Sequence, residues 1–194
     1  TCQGMSNVIW AFAKMGCEWG DLSDVMRSSL ESRLVTKIRD CNPQAVSSII
    51  WALGGLNALW NDVDTSQGDA PSSTLSSLDW AEPSSSSSSC AVGQVTRQAL
   101  LLSLNRTAAN MTEQGLANSF LGLARMRYPL ASAMSGDSNE GELSALLDTY
   151  MSRAENGQLR QQAVSNVLLA LALSNVSAGL LSERFVSALG QALR

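Results

Sequence analysis

Four copies of one helix-length stretch constrain the fold of this chain more than any other sequence feature. The copies are TCQGMSNVIWAFAKMG from Thr1, NPQAVSSIIWALGGLN from Asn42, TEQGLANSFLGLARMR from Thr112 and RQQAVSNVLLALALSN from Arg160. They align without gaps around a glutamine, which defines position 0 of each copy: Gln3, Gln44, Gln114 and Gln162. Recurrence of this kind predicts a protein built from stacked units.

The spacing of the copies locates two insertions. Successive glutamines are 41, 70 and 48 residues apart, so insertions of roughly 30 and 10 residues leave a base period of about 38 to 41. Residues 61–93 contain the tract PSSSSSSC, two prolines and no basic residue, which predicts a low-complexity insertion. Residues 130–142 predict a shorter acidic polar loop. The predicted repeats are residues 1–40, 41–110, 111–158 and 159–194.

Each copy predicts an amphipathic helix. Apolar residues recur at positions +2, +5, +6 and +9, the spacing of one helical face. Ser119 is the exception, at +5 of the third copy. Asn42 followed by Pro43 predicts a helix start, and Thr112 predicts another.

A second apolar stripe follows each copy and predicts a second helix. The stripes are Leu22 to Leu34, about Val95 to Asn110, Leu143 to Met151, and Leu181 to Leu189. No stretch is typical of a strand. We therefore expect an all-α fold, an α-solenoid of about four antiparallel helix pairs in one domain, interrupted by the two polar loops. Small residues at +1 and +8 would allow neighbouring helices to approach closely.

A polar stripe at positions 0, +4, +7 and +11 repeats on the other face of the first helices. Its amides have two interpretations: they bond to the backbone of the next repeat, or they read nucleotide bases. For RNA, the candidates at +4 are Asn7, Ser48, Asn118 and Asn166, and the basic candidates are Lys14, Arg125, Arg127, Arg33, Lys37 and Arg39. The alternative for residues 33–39 is an ordinary solvated face, because Glu31 and Asp40 flank them.

Three tryptophans need separate interpretations. Trp10 and Trp51 stand at +7, where we expect core residues rather than base-stacking ones. Trp80 lies alone in the serine-rich segment. It is a candidate anchor for that segment on the helices or on a partner, or it is solvated.

The net charge of −4 reflects the two insertions rather than the helical body. Residues 61–93 carry five acidic side chains and residues 130–142 carry three, with no basic residue in either. The rest of the chain has 13 basic and 9 acidic residues. The helical body is therefore mildly basic, and composition does not exclude RNA binding.

No enzyme class is indicated. The chain has no histidine, and GxGxxG, P-loop and GxSxG motifs are absent.

The four cysteines form no CxxC pair, so we expect no zinc site, and we favour reduced thiols. No apolar run reaches the roughly 20 residues of a membrane span. We expect no catalysis and no cofactor.

The repeated core PQ-x-(L/V)-(A/S)-N-x-x-W-A-(L/F)-A resembles the octotricopeptide repeats of algae and the similar heptatricopeptide repeats of apicomplexan organellar proteins. The matches in the first copy are Gln3, Ser6, Asn7, Trp10, Ala11 and Ala13. Those in the later copies are Pro43, Gln44, Ser47, Trp51, Ala52, Gln114, Ala117, Asn118, Ala124, Gln162, Ser165, Asn166, Ala170 and Ala172. Ser48 replaces the usual Asn, and Leu121 and Leu169 replace Trp. The resemblance implies a helical-repeat protein that acts on RNA maturation, stability or translation in a mitochondrion or, alternatively, a chloroplast.

Two functional hypotheses follow. The first is an RNA-binding solenoid, including a fixed constituent of a divergent mitochondrial ribosome or another ribonucleoprotein. The second is a protein-binding scaffold without RNA contact, favoured by the nearly uncharged fourth copy.

An open solenoid end exposes apolar surface unless it is capped. Because Thr1 stands at the very start of a repeat, we expect the chain to be part of a longer protein.

Overall fold

The computed structural model describes residues 1–61, 90–134 and 143–193, and these residues are helical without a named strand. The helices are α1 (Cys2–Lys14), α2 (Asp24–Lys37), α3 (Pro43–Gly55), α4 (Gln94–Thr107), α5 (Glu113–Arg125), α6 (Leu130–Met134), α7 (Ser144–Glu155), α8 (Gln161–Leu173) and α9 (Glu183–Ala192). Short 3-10 turns occur at Trp19–Asp21, Ile38–Asp40, Ala108–Asn110 and Ala178–Leu180. The all-α prediction is confirmed.

Predicted helix starts are confirmed where the sequence signalled them. The Asn42 side chain accepts a hydrogen bond from the Ala45 N–H at 2.8 Å, and Pro43 is the first residue of α3. Thr112 accepts one from the Gly115 N–H at 3.1 Å. Both side chains satisfy an N–H that the helix itself leaves without a partner.

The helices contact one another in two series. In the first series α1 packs on α3, α3 on α5, and α5 on α8. In the second, α2 packs on α4, α4 on α7, and α7 on α9. The core lies between the two series, and the four repeated copies form the helices of the first.

The joint between α3 and α5 is the site of a close backbone approach. A Cβ atom added to Gly122 would lie 2.5 Å from the carbonyl oxygen of Ile50. One added to Gly54 would lie 2.6 Å from the carbonyl oxygen of Gly122. The absence of side chains at these two positions is therefore what permits this packing distance.

Neighbouring repeats are also joined by recurring polar contacts. The backbone N–H of Trp19 donates to the Leu56 carbonyl at 2.6 Å, and the backbone N–H of Trp60 donates to the Met126 carbonyl at 2.6 Å. Trp19 and Trp60 both stand at +16 of their copies, and both are buried. This equivalence was missed from the sequence, because residue 60 directly precedes the serine-rich segment.

Two charged side chains cap helices of the following repeat. Glu31 accepts hydrogen bonds from the Gly93 N–H at 3.0 Å and the Thr96 hydroxyl at 2.9 Å, at the start of α4. Glu113 accepts from the Arg160 N–H at 2.7 Å, at the start of α8. A carboxylate is stabilising at a helix N-terminus, because the helix dipole is positive there.

Both predicted loops differ from the structure at their edges. Leu130–Met134 is a short helix whose Leu130 and Met134 are buried, so the prediction of a polar loop at 130–142 is wrong for its first five residues. Within residues 61–93, Val92 is buried and Ala91 forms an isolated bridge with Leu59. In both places apolar residues next to the polar tract pack on the core. Residues 62–89 and 135–142 lie outside the described part.

The prediction of four reduced thiols is wrong for Cys2 and Cys41, which form a disulfide. Their Cα atoms are 5.4 Å apart, although 39 positions separate them in the sequence. Cys2 stands one residue before Gln3 and Cys41 three residues before Gln44, and packing of α1 on α3 brings the two together.

Candidate RNA-binding face

The residues at 0, +4, +7 and +11 of the four first helices form a stripe that we call the amide face, and all of them are exposed or partly exposed except the buried Leu121. Its members are Gln3, Asn7, Trp10, Lys14, Gln44, Ser48, Trp51, Gly55, Gln114, Asn118, Leu121, Arg125, Gln162, Asn166, Leu169 and Leu173. It runs along the first series of helices, with the glutamines near the helix starts and the +11 residues near the helix ends.

At α1 and α3 this face presents two tryptophans around one lysine. The Lys14 ammonium lies 5.5 Å from the ring centre of Trp10 and 5.4 Å from that of Trp51. Trp10 is 45% exposed and Trp51 is partly buried, so the prediction of a core position is wrong for Trp10. Its helix is the first of the series and has only α3 to pack on within it. Cation–π attraction holds the ammonium near the two indoles.

Amides at the two ends of the series bond within their own helices. The Gln3 side-chain N–H donates to Asn7 at 2.9 Å, and that of Gln162 donates to Asn166 at 3.3 Å. These contacts differ from the structural interpretation of the sequence, in which the amides bond to the neighbouring repeat's backbone. Spacing of four residues on a helix favours the observed pairing.

The amides of α3 and α5 instead line an open groove of about 570 Å³ between the two helix starts. Gln44, Ser48, Gln114 and Asn118 all contribute, and none of the groove residues is charged. None of these four side chains makes a described side-chain hydrogen bond within the chain. The groove is therefore lined by polar side chains that have hydrogen-bonding capacity to spare, which suits a neutral planar polar group.

The basic candidates fall into separate groups. Arg125 is exposed at the end of α5, beside Gly54 of α3. Arg127 is exposed just after that helix. Arg33 and Lys37 are exposed on α2 and line a different groove of about 520 Å³ with apolar residues of α1. Arg39 is exposed in the following turn.

The structure thus brings together Lys14 with the two tryptophans, and Ser48 with Asn118. It places Arg33 and Lys37 on the other groove. Trp80 lies outside the described residues. Gln44 and Gln114 were missed as individual site candidates, although their recurrence at position 0 was the available signal. Trp10 and Trp51 were missed because aromatic residues were assigned to the core.

Neither a metal-binding cluster nor a membrane-spanning helix is found in the described ranges. They bring together no three Cys, Asp or Glu side chains that could hold a metal ion. No helix in the same ranges combines the length and apolar character needed to cross a membrane.

No protein-family model matches the chain, and no significant match was found among curated proteins or among solved structures.

Proposed function

We propose that this chain is a non-catalytic helical-repeat protein, an α-solenoid of four helix pairs, that binds single-stranded or ribosomal RNA along the amide face. The supporting observation is the cluster of the exposed Trp10 and Lys14 with the partly buried Trp51, in line with the amides. Bases of unpaired RNA stack on aromatic side chains, and ammonium groups contact phosphate. The cluster offers both groups within a few ångströms.

The resemblance to octotricopeptide and heptatricopeptide repeats extends this proposal to a location and a context. We propose a mitochondrial protein, with a chloroplast as the alternative. There it acts in RNA maturation, stability or translation, or as a constituent of a divergent mitochondrial ribosome or another ribonucleoprotein. The resemblance is carried by the recurrent glutamine, the small residues at +3, the asparagines at +4, the tryptophans at +7 and the alanines that follow them.

The test measures binding of a fluorescein-labelled single-stranded RNA of random sequence by anisotropy over a range of salt concentrations. We expect wild-type binding that weakens as salt rises, because phosphate contacts release counterions. Trp10→Leu and Trp51→Leu copy the residues that the third and fourth copies carry at +7. Each should weaken binding roughly tenfold, since stacking on an aromatic side chain contributes about 1–3 kcal/mol per base.

Leu102→Ala is the matched control, because Leu102 is an exposed apolar residue of the second series on α4. It should leave RNA binding unchanged. If wild-type protein shows no binding at any salt concentration, or if both tryptophan variants bind as wild type does, the proposal is wrong.

A protein-binding scaffold is the second candidate, and one observation favours it. At the end of the first series, α8 exposes Leu168, Leu169 and Leu173, by 41%, 46% and 51%. An apolar patch of this kind suits a protein partner better than RNA. This candidate predicts that replacing Leu168 and Leu169 by Ser abolishes incorporation into an organellar complex, while RNA binding by the isolated chain is absent throughout.

A further inference from the structure

The turn that follows each first helix holds the same backbone conformation at +13. The residues there are Gly16, Asn57, Arg127 and Asn175, with φ angles of 76°, 53°, 60° and 51°. This is the left-handed region, which closes an α-helix by satisfying its last carbonyl groups. The conformation is therefore a fixed requirement of the repeat.

The four residues differ in how well they tolerate that conformation. Glycine has no Cβ to clash, and asparagine adopts positive φ more readily than other residues with side chains. Arginine has neither advantage, so Arg127 costs stability relative to the residue in each other copy. Residues held in an unfavourable backbone region often serve a function.

Contacts among the described residues do not explain the choice of arginine. Asn57 donates its side-chain N–H to Glu18 at 3.3 Å, and Glu18 stands at +15 of the preceding copy. The residue at +15 of the copy before Arg127 is Leu59, whose side chain has no hydrogen-bond acceptor. Arg127 is exposed and makes no side-chain hydrogen bond or ion pair in the described part of the chain.

The position of Arg127 suits an anion at one edge of the amide face. It follows the end of α5, two residues after Arg125, and the +11 residues, including Lys14, also lie at helix ends. The amide groove lies at the opposite ends, where the helices start. Positive charge and base-reading groups are thus separated along the face.

We propose that Arg127 is an RNA-phosphate contact retained at a cost in stability, an inference that rests on the proposed RNA-binding function. The guanidinium presents paired N–H groups that match two phosphate oxygens. Bases placed against the amides of α3 and α5 then leave the sugar–phosphate backbone on the side of the helix ends.

Two variants separate backbone strain from charge. Arg127→Asn installs the residue found in the second and fourth copies, and Arg127→Lys keeps the charge and the strain. The measurements are the Tm of each protein and the slope of log Kobs against log salt for the labelled random-sequence RNA. Arg127→Asn should raise the Tm by about 2 °C. It should also flatten the salt slope by about 0.7, the value for one phosphate contact in a single strand.

Arg127→Lys should keep the wild-type Tm and salt slope. An Arg127→Asn variant that is more stable but binds RNA with unchanged affinity and slope would overturn the inference and leave the proposed function intact. A lower Tm for Arg127→Asn would also overturn it, because the arginine would then stabilise the helix end through the helix dipole. Failure of the wild-type protein to bind RNA refutes the proposed function itself, and is seen before any variant is made.

Discussion

The amide rows of α3 and α5 differ from those of α1 and α8, although all four occupy the same register. In the outer rows, Gln3 and Gln162 bond to the asparagine four residues later. In the inner rows, the residue at +4 is Ser48 in α3 and Asn118 in α5, and neither glutamine makes such a bond in the described residues. All four side chains line the groove. The inner helices are also those whose backbones meet at Gly54 and Gly122.

The difference shows that a repeated residue need not have a repeated role. Position 0 is occupied by glutamine throughout, but its neighbours decide whether its amide pairs within the helix or lines the groove. The inner joint has helices on both sides, and this fixes the spacing between its two amide rows. The outer helices have one neighbour in the series each.

The largest expected effect comes from breaking the inner joint with Gly122→Val. A Cβ there would lie 2.5 Å from the Ile50 carbonyl oxygen, a backbone atom that cannot move aside without shifting α3. We expect a loss of about 3 kcal/mol in the free energy of unfolding, or failure to fold. Urea denaturation followed by circular dichroism measures it.

Gly190→Ala is the matched control in α9, where an added Cβ meets nothing within 4 Å. Alanine is the better helix former, so this variant should be more stable by about 0.5–1 kcal/mol. Equal stability of Gly122→Val and wild type would show that α3 and α5 lie farther apart than described here.

A smaller effect should separate the two kinds of amide row directly. The double variant Gln44→Ala with Gln114→Ala removes the inner glutamines, and Gln3→Ala with Gln162→Ala removes the outer ones. If the groove holds a base, the inner pair should weaken RNA binding about tenfold and the outer pair less than about twofold. All four side chains are exposed, so neither double variant should change the midpoint of urea denaturation. Equal losses in RNA affinity for the two double variants would contradict the distinction.

The smallest expected effect comes from a residue of the second series of helices. Its replacement should leave the inner and outer amide rows unchanged. Tyr150 of α7 is fully buried against Phe120 and Phe185, and its hydroxyl has no hydrogen-bond partner in the described residues. Tyr150→Phe removes an unsatisfied buried group at nearly constant shape, and should stabilise the protein by about 1 kcal/mol.

Burial raises the pKa of Tyr150 above its ordinary value of 10.0. The native state therefore favours the neutral phenol. The contribution of the neutral Tyr150 phenol to the free energy of unfolding is complete below the ordinary pKa. It is lost as the pH rises through the raised pKa of the native state. Wild-type stability should fall above about pH 10 more steeply than that of Tyr150→Phe, in urea titrations at a series of pH values. Parallel pH curves for the two proteins would contradict the buried position of the hydroxyl.

Helix positions were predictable because they depend on local signals. The start of α3 follows from Asn42 and Pro43, and the apolar stripes identify the second helices. An apolar stripe in the sequence does not reveal which neighbouring helix, if any, covers it. Val8 and Leu168 occupy core positions of the pattern but are 46% and 41% exposed, because they lie on the first and last helices of the first series.

The parts of the site that were missed depend on contacts between repeats. From the sequence alone Trp10 was assigned to the core. It is exposed because α1 has only α3 beside it in the first series. Whether Gln44 pairs or faces a groove depends on Ser48 and on the distance to α5. The disulfide between Cys2 and Cys41 likewise needs the stacking of α1 on α3, which no spacing of cysteines reveals.

The joint between Leu59 and Ala91 bears on how such a chain tolerates changes in length. The Leu59 N–H donates to the Cys90 carbonyl at 2.9 Å, and the Val92 N–H donates to the Leu59 carbonyl at 2.8 Å. Arg97 adds side-chain bonds to Trp60 and Asn61. Leu59 and Ala91 are thereby held side by side. The entropy of closing the intervening chain grows only with the logarithm of its length. This position should therefore accept a grafted peptide or a whole foreign domain, with the helices on either side left in register.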